Sequence, residues 1–279
     1  MRILPNNQQP MMLISGPCVL ESKALGQQIA GVLCNIKQTL NIEVVFKASL
    51  IKANRTSSHS FRGVGLDQGL RWLEDIKKDY QLPVITDIHD PFMVDEVAEV
   101  VDILQIPAFL CRQTDIIESA ARTKKWLLIK KGQFMAPDDM RYVCDKAIKQ
   151  GNKQLLLCER GTTFGYHDLV VDLRGLVTMK KFGFPVIMDA THAVQQPGKA
   201  SGASSGQRSF VPVLARAAIS AGIAGIFMET HPNPKKALSD GPNAVPLHQL
   251  KQLVTELYNL DQYIKSNPPQ VALFNDEEM

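Results

Sequence analysis

Short apolar runs alternate with longer amphipathic segments along the whole chain. Eight of these runs are apolar nearly throughout, which is typical of parallel strands covered on both faces. The predicted strands occupy residues 11–18, 42–48, 83–89, 102–107, 126–131, 154–160, 185–192 and 223–231. The seventh run ends abruptly in Asp189 and His192, two residue types that are often used in catalysis.

The segments between these runs repeat apolar residues at helical spacing. Predicted helices span residues 21–40, 66–80, 93–100, 115–123, 137–150, 169–182, 210–221 and 247–266. Strict alternation of strands and helices implies parallel pairing, and closure of eight such strands gives a TIM (β/α)8 barrel. An open, doubly wound α/β sheet is the alternative.

The predicted strands carry polar residues at their C-terminal ends. Active sites of barrels lie at that end, which favours the closed barrel over the open sheet. Eight side chains should therefore ring one mouth: Cys18, Lys47, Asp87, Gln105, Lys130, Arg160, His192 and Glu229. No domain boundary is evident. We expect one domain over residues 1–279, with an N-terminal extension at 1–10, a frayed tail at 267–279 and a glycine- and serine-rich lid at 195–208.

Composition narrows the class of protein. Apolar residues make up 45% of the chain, and 31 basic against 28 acidic side chains leave a net charge of only +3, too little to indicate nucleic acid as a partner. No signal-peptide core or apolar run of membrane length is present, so a cytoplasmic protein with no membrane partner is expected. Five cysteines without paired spacing argue against a disulfide framework.

A group of cations is predicted at the mouth. Its members are Lys47, Lys52, Arg55, Lys130 and Arg160. Arginine binds phosphate and carboxylate through two parallel hydrogen bonds, and lysine supplies a compact charge. Small phosphorylated, carboxylated substrates are therefore expected. The alternative is that Lys52, Arg55 and Lys131 are solvated loop charges, the usual place for such residues.

A second group combines metal-binding residue types: Cys18, His192, Glu229 and Asp240. Thiolate, imidazole and carboxylate ligands suit a divalent ion such as zinc, iron or manganese. The residues come from the first, seventh and eighth strands and the eighth loop, which are neighbours only if the barrel closes. A buried, structural Cys18 is the alternative. His89 and His231, near strand ends, could serve a site or simply form hydrogen bonds.

Many of these residues belong to longer motifs. The most specific are Phe-Lys-Ala-Ser at 46–49, Lys-Ala-Asn-Arg at 52–55, Gln-Ile-Pro-Ala-Phe-Leu-Cys-Arg-Gln-Thr-Asp at 105–115, Lys-Lys-Gly-Gln-Phe at 130–134, Glu-Arg-Gly-Thr-Thr-Phe-Gly-Tyr at 159–166 and Asp-Ala-Thr-His at 189–192. Through them the chain resembles the 3-deoxy-D-manno-octulosonate 8-phosphate synthase family. The resemblance implies condensation of phosphoenolpyruvate with arabinose 5-phosphate for lipopolysaccharide, a TIM barrel and a homotetramer.

The resemblance also implies roles for individual residues. Family members that need no metal carry asparagine at the position of Cys18, so the four ligand positions here match the metal-dependent branch. Lys47, Lys52, Gln105, Lys130 and Arg160 would hold phosphoenolpyruvate, Asn54, Arg55 and Thr56 would receive the phosphosugar, and Arg112 would reach the sugar phosphate of a neighbouring subunit. Catalytic roles are expected for Lys47, Asn54, His89, Lys130, His192 and Asp240.

Two positions depart from the family pattern. Thr56 stands where serine is usual and keeps the hydroxyl, whereas Ser205 replaces a glycine of the lid and would reduce its flexibility.

Two other functions remain open. The related synthase of the shikimate pathway uses erythrose 4-phosphate, but its Lys-Pro-Arg motif is replaced here by Lys-Ala-Asn-Arg, which favours the five-carbon sugar. A non-catalytic barrel that binds a phosphorylated metabolite or a partner is the other alternative, and it would not need both the cations and the four metal ligands.

Overall fold

Eight parallel strands close into a barrel in the computed structural model, which describes residues 5–54, 60–200 and 203–268. The barrel strands are β1 Met12–Gly16, β2 Val44–Lys47, β3 Val84–Asp87, β4 Ile103–Ile106, β5 Trp126–Lys130, β6 Leu155–Glu159, β7 Val186–Asp189 and β8 Gly225–His231. Each strand pairs with the next, and β8 pairs back with β1. The predicted TIM barrel is confirmed, and the open sheet is excluded.

One long helix follows each barrel strand. The helices are α1 Lys23–Leu40, α2 Leu66–Tyr80, α3 Val94–Val100, α4 Thr114–Arg122, α5 Met140–Lys149, α6 Leu173–Lys180, α7 Val211–Ser220 and α8 Leu247–Ser266. Each buries one stripe, as in α1, where Ile29, Leu33 and Ile36 are fully buried. Ser22 caps α1 by accepting a hydrogen bond from the backbone of Leu25.

The interior of the barrel is apolar below its C-terminal mouth. Successive strand residues point to opposite faces, so every second residue points inward. Inward residues such as Val45, Ile85, Leu128 and Phe227 form a cluster separate from the one between strands and helices. A polar residue lies two positions after an inward apolar one on seven strands: Lys47, Asp87, Gln105, Lys130, Arg160, Asp189 and Glu229. The alternation that places the apolar cluster inside the barrel thus also places a layer of polar side chains between that cluster and the mouth.

Two short hairpins extend the loops at this end. The β6 hairpin pairs Thr162–Thr163 with Leu169–Val170, and the β7 hairpin pairs Gln195–Ala200 with Ala203–Gly206. The predicted start of the sixth helix at residue 169 is wrong, because 169–170 form a strand and Asp172 caps the helix instead. The segment predicted as a loop lid contains a hairpin, and its role as a lid stays a prediction.

The N-terminal extension lies at the opposite end of the barrel. The amide of Asn7 hydrogen bonds with both the oxygen of Phe184 and the backbone N–H of Val186, each at 2.9 Å. The carboxylate of Asp261 on α8 accepts from the backbone of Met11 at 2.8 Å. These bonds tie residues before β1 to β7 and α8. Among the described residues, no helix is long and apolar enough to cross a membrane.

Candidate active site

The polar layer is buried although most of its members are ionisable. Lys47, Asp87, Gln105, Lys130, Arg160 and Glu229 are each at most 8% exposed. These side chains come from six different strands and lie at or near their C-terminal ends, so they surround one axis. Buried charges are costly unless they are paired, so the pairing within this layer determines which groups remain for a ligand.

Two lysines of the layer have carboxylate partners. The ammonium of Lys47 lies 2.8 Å from Oε1 of Glu229, and that of Lys130 lies 2.5 Å from Oδ2 of Asp189. Lys130 also stands over the ring of Phe227, 3.2 Å from its centroid, where a cation–π interaction adds to the ion pair. Both lysines are therefore held in fixed positions facing the mouth.

Arg160 and Lys52 offer hydrogen-bond donors to an anion. Nη2 of Arg160 donates to the amide oxygen of Gln195 at 3.1 Å, whereas Nη1 is buried and has no hydrogen-bond partner among the described residues. Lys52 donates to Oγ of Ser49 at 2.9 Å. Burial alone would lower the pKa of Lys52, but the nearby Cys18 and the carboxylates of Asp87, Glu229 and Asp240 raise it above its ordinary value. Lys52 therefore remains charged.

Asp87 and His89 form a pair at the end of β3, close to Lys52 and Lys47. Nε2 of the half-buried His89 lies 3.0 Å from Oδ2 of Asp87. Burial would raise the pKa of Asp87, but its hydrogen bond and charge interaction with His89, and then Lys52 and Lys47, hold it well below the usual range. Asp87 is therefore a carboxylate, and its Oδ1 has no hydrogen-bond partner among the described residues.

Three of the predicted metal ligands form one cluster. A sulfur of Cys18, a ring nitrogen of His192 and a carboxylate oxygen of Glu229 all lie within 4.8 Å of one another. Nδ1 of His192 is 2.7 Å from Asp189, which leaves Nε2 for a ligand, as is usual for metal-binding histidines. Oε2 of Glu229 is buried without a hydrogen-bond partner in the part of the chain that the structure describes. The donor set fits a divalent ion of the zinc type.

Asp240, the fourth predicted ligand, lies beside this cluster. Its Oδ2 accepts from the thiol of Cys18 at 2.9 Å and is 3.8 Å from Nε2 of His192. Burial would raise the pKa of Asp240, but His192, Lys52 and the hydrogen bonds from Cys18 and Gln195 hold it at about 2. Burial, followed by the charge of Asp240, raises the pKa of Cys18 to about 12. Cys18 is therefore a thiol that a bound metal would have to deprotonate.

Other predicted residues lie outside the buried layer. Asn54 and Arg112 are exposed, and the predicted sugar-binding Arg55 and Thr56 are outside the described residues. The alternative of a solvated Lys131 is wrong, because this side chain is fully buried and contacts Glu159. His231 fits the hydrogen-bonding alternative, since its Nδ1 accepts from the backbone of Asn233 at 3.0 Å.

Two further residues have prominent contacts in the site. Asp189, which the sequence indicated at the polar end of the seventh strand without a specific role, contacts both Lys130 and His192. Gln195 bridges two parts of the site: it accepts from Arg160 and donates from Nε2 to Oδ1 of Asp240 at 2.7 Å. Gln195 begins the first strand of the β7 hairpin, directly after the 3₁₀ turn His192–Val194, and no sequence pattern indicated its contacts.

A barrel with this buried mouth has known relatives. The model of the DAHP synthetase I family matches residues 2–266, and the chain belongs to that family. Within it, the chain is similar to proteins named 2-dehydro-3-deoxyphosphooctonate aldolase. It is 54% identical to the one from Thioalkalivibrio sulfidiphilus over 259 residues, 93% of this chain and 92% of the relative. It is 54% identical to the one from Dichelobacter nodosus over 262 residues, 94% of this chain and 95% of the relative. The resemblance inferred from the motifs is confirmed.

Proposed function

We propose that this chain condenses phosphoenolpyruvate with arabinose 5-phosphate and water, giving 3-deoxy-D-manno-octulosonate 8-phosphate and inorganic phosphate. The observation that carries the proposal is a single buried mouth in which Arg160 and Lys52 offer donors to anions beside the cluster of Cys18, His192 and Glu229. Relatives at 54% identity are named for the same eight-carbon product.

In this proposal the cations fix phosphoenolpyruvate. Nη1 of Arg160 has no hydrogen-bond partner among the described residues, and Lys52 and Lys130 provide further positive charge. The buried side chain of Gln105, whose Oε1 has no hydrogen-bond partner among the described residues, would offer its amide N–H groups to the same anion. Holding both reactants in register removes much of the entropic cost of a two-substrate reaction.

The bond changes follow from the two substrates. The methylene carbon of phosphoenolpyruvate bonds to the aldehyde carbon of the sugar, and water adds to the carbon that bears the phosphate. The bond between that carbon and the phosphate oxygen then breaks and releases inorganic phosphate. Over the two steps the attacking water gives up both of its protons: the former aldehyde oxygen gains one, and the departing phosphate takes the other. Asp240, whose pKa is about 2, is ionised at neutral pH and therefore has no proton to donate in either step.

Cys18, His192, Glu229 and Asp240 would hold a divalent ion, with zinc, iron and manganese all compatible. When bound, such an ion supplies Lewis acidity to the aldehyde oxygen or to the attacking water. Removal of metal with a chelator should abolish turnover, and one of the three ions should restore it. Full turnover by metal-free protein would contradict this part of the proposal.

The deciding experiment is phosphate release by purified protein. Phosphoenolpyruvate alone should release none, arabinose 5-phosphate should permit release, and erythrose 4-phosphate should support it poorly. Preference for erythrose 4-phosphate would indicate the shikimate-type reaction. No release with either sugar, despite binding of phosphoenolpyruvate, would indicate a binding protein.

We further propose that the chain acts as a homotetramer. Large apolar side chains are exposed on the loops of the mouth, including Phe92, Phe109, Phe134 and Tyr166, and such exposure is typical of interaction surfaces. Arg112, exposed on the same side, would reach the sugar phosphate bound by a neighbouring subunit. Sedimentation equilibrium should give four times the chain mass, whereas a monomer would contradict the assignment.

A further inference from the structure

A buried ion pair lies directly behind the anion-binding side chains. Lys131 follows Lys130 in the sequence, and Glu159 precedes Arg160. Neighbouring strand positions face opposite sides of the barrel wall, so Lys131 and Glu159 lie on the side away from the mouth. Lys131 is fully buried and Glu159 is 2% exposed. The ammonium lies 3.5 Å from Oε1 of the carboxylate. This pair is separate from the inward-facing polar layer.

Glu159 fixes the turn that ends β6. Its Oε1 accepts hydrogen bonds from the backbone N–H groups of Arg160 at 2.9 Å and Gly161 at 2.7 Å. Gly161 has a φ of 89°, which glycine adopts without strain. The carboxylate therefore determines the backbone position from which the Arg160 side chain extends into the mouth.

Lys131 ties the loop after β5 to the hairpin after β6. Its ammonium donates to the backbone oxygens of Gly132 at 3.3 Å and Met135 at 3.2 Å, and to Oγ1 of Thr162 at 3.0 Å. A backbone hydrogen bond of 2.9 Å from Thr163 to the oxygen of Gln133 reinforces the same junction. The ammonium thus joins two loops and the carboxylate that positions Arg160.

We infer that Lys131 and Glu159 are positioning residues that set the separation of Lys130 and Arg160, and thereby the affinity for phosphoenolpyruvate. The inference rests on the proposed function for the identity of the ligand. A buried ion pair is a weak source of stability compared with apolar packing, so its directional hydrogen bonds are the more important contribution here. Neither residue touches the substrate in this proposal.

The test compares Lys131→Met with wild-type holoenzyme. The dissociation constant of phosphoenolpyruvate, measured by calorimetry, and its KM should rise roughly 30-fold, because a misplacement of about 1 Å in a positioning group can cost up to about 100-fold. The KM for arabinose 5-phosphate should be unchanged. Binding of phosphoenolpyruvate by the wild type without turnover would contradict the proposed function but not this inference. Calorimetry would still measure the effect of the variant on binding in that case.

A double variant separates positioning from general damage. Lys131→Met removes the cationic partner of Glu159, whereas Lys131→Met with Glu159→Gln keeps an acceptor for the two backbone N–H groups in a neutral side chain. The double variant should recover to about fivefold weaker binding than wild type. Wild-type affinity in either variant, or a double variant as weak as Lys131→Met, would overturn the inference. If Lys131→Met fails to fold, the double variant decides alone.

The matched control is another buried ion pair, at the far end of the barrel. Lys265 and Asp261 lie 2.6 Å apart, and Asp261 is fully buried. Asp261→Asn should lower the unfolding midpoint yet leave the affinity for phosphoenolpyruvate unchanged. Equal losses of affinity in Asp261→Asn and Lys131→Met would show that any destabilised barrel binds poorly, and the positioning role would be wrong.

Discussion

The carboxylate of Asp189 connects the group of cations in the mouth with the cluster that contains His192. Oδ2 contacts both the ammonium of Lys130 at 2.5 Å and Nδ1 of His192 at 2.7 Å, and Oδ1 accepts from the hydroxyl of Thr191 at 3.1 Å. Burial would raise its pKa, but His192 and Lys130 hold it well below the usual range. One ionised side chain therefore contacts both Lys130 of the cation group and His192 of the cluster with Cys18 and Glu229.

Asp189→Asn should affect metal and substrate together. An amide is neutral and can accept from only one of its two terminal atoms, so it cannot serve Lys130 and His192 equally. Zinc affinity, measured by competition with a chromogenic chelator, should fall about 10- to 100-fold, and the KM for phosphoenolpyruvate should rise. Asp172→Asn, at an exposed helix cap, is the control. A change in only one of the two quantities would show that Asp189 does not link them.

Cys18→Ser tests the thiol as a ligand. Serine keeps the size of the side chain, but a hydroxyl is a poor ligand for zinc-type ions. Zinc affinity should fall by more than about 100-fold, beyond the effect expected for a residue that only supports a ligand. Cys144→Ala, a buried cysteine on α5, should retain metal. Stoichiometric zinc in purified Cys18→Ser protein would support the structural alternative for this cysteine.

At the scale of elements, the β7 hairpin contributes to the mouth through its first strand. Adjacent residues of this strand have different partners. Gln195 bridges Arg160 and Asp240, whereas Nε2 of Gln196 donates to Asp168 in the β6 hairpin at 3.0 Å. The hairpin therefore has one side chain in the site and the next in a contact between hairpins.

Gln195→Met and Gln196→Met form a matched pair. Gln195→Met removes the hydrogen bonds that Gln195 makes to the charged groups of Arg160 and Asp240. Because a hydrogen bond to a charged group stabilises by roughly 1.5–3 kcal/mol, the KM for phosphoenolpyruvate should rise about tenfold. The second should leave that KM near wild type, because it alters only the contact between the hairpins. Steady-state kinetics with saturating sugar measures both. If Gln196→Met has the larger effect, the position of the hairpin matters more than the bridge made by Gln195.

The sequence predicted the barrel and its mouth well because both depend on local periodicity. The polar residue that follows an inward apolar one, as Lys47 follows Val45, can be recognised from the spacing of residues along the chain alone. Gln195 and the pair of Lys131 and Glu159 could not be found this way. Their roles depend on contacts with partners almost thirty residues or more away in the sequence, and hydrophobic periodicity does not encode such contacts.

At the scale of the whole molecule, the polar mouth and the end covered by the N-terminal extension lie at opposite ends of the barrel. The C-terminal mouth contains buried charges and polar atoms that lack partners among the described residues, such as Nη1 of Arg160 and Oδ1 of Asp87. The N-terminal end is closed by the extension, with Asn7 completing the hydrogen bonds at β7 and Asp261 binding the backbone of Met11. Interactions that stabilise the fold at the closed end can offset the destabilising effect of buried polar groups at the mouth.

Asp261→Asn should therefore reduce stability without altering catalysis. The carboxylate accepts from Met11 and pairs with Lys265, whose own pKa is lowered by burial despite this partner. Breaking a buried pair on one side leaves the other charge uncompensated, so the free energy of unfolding should fall by about 3 kcal/mol. Urea titration followed by circular dichroism measures the loss, with Asp172→Asn as the exposed control. An altered kcat at a temperature where the variant is fully folded would show that the two ends are coupled through the barrel after all.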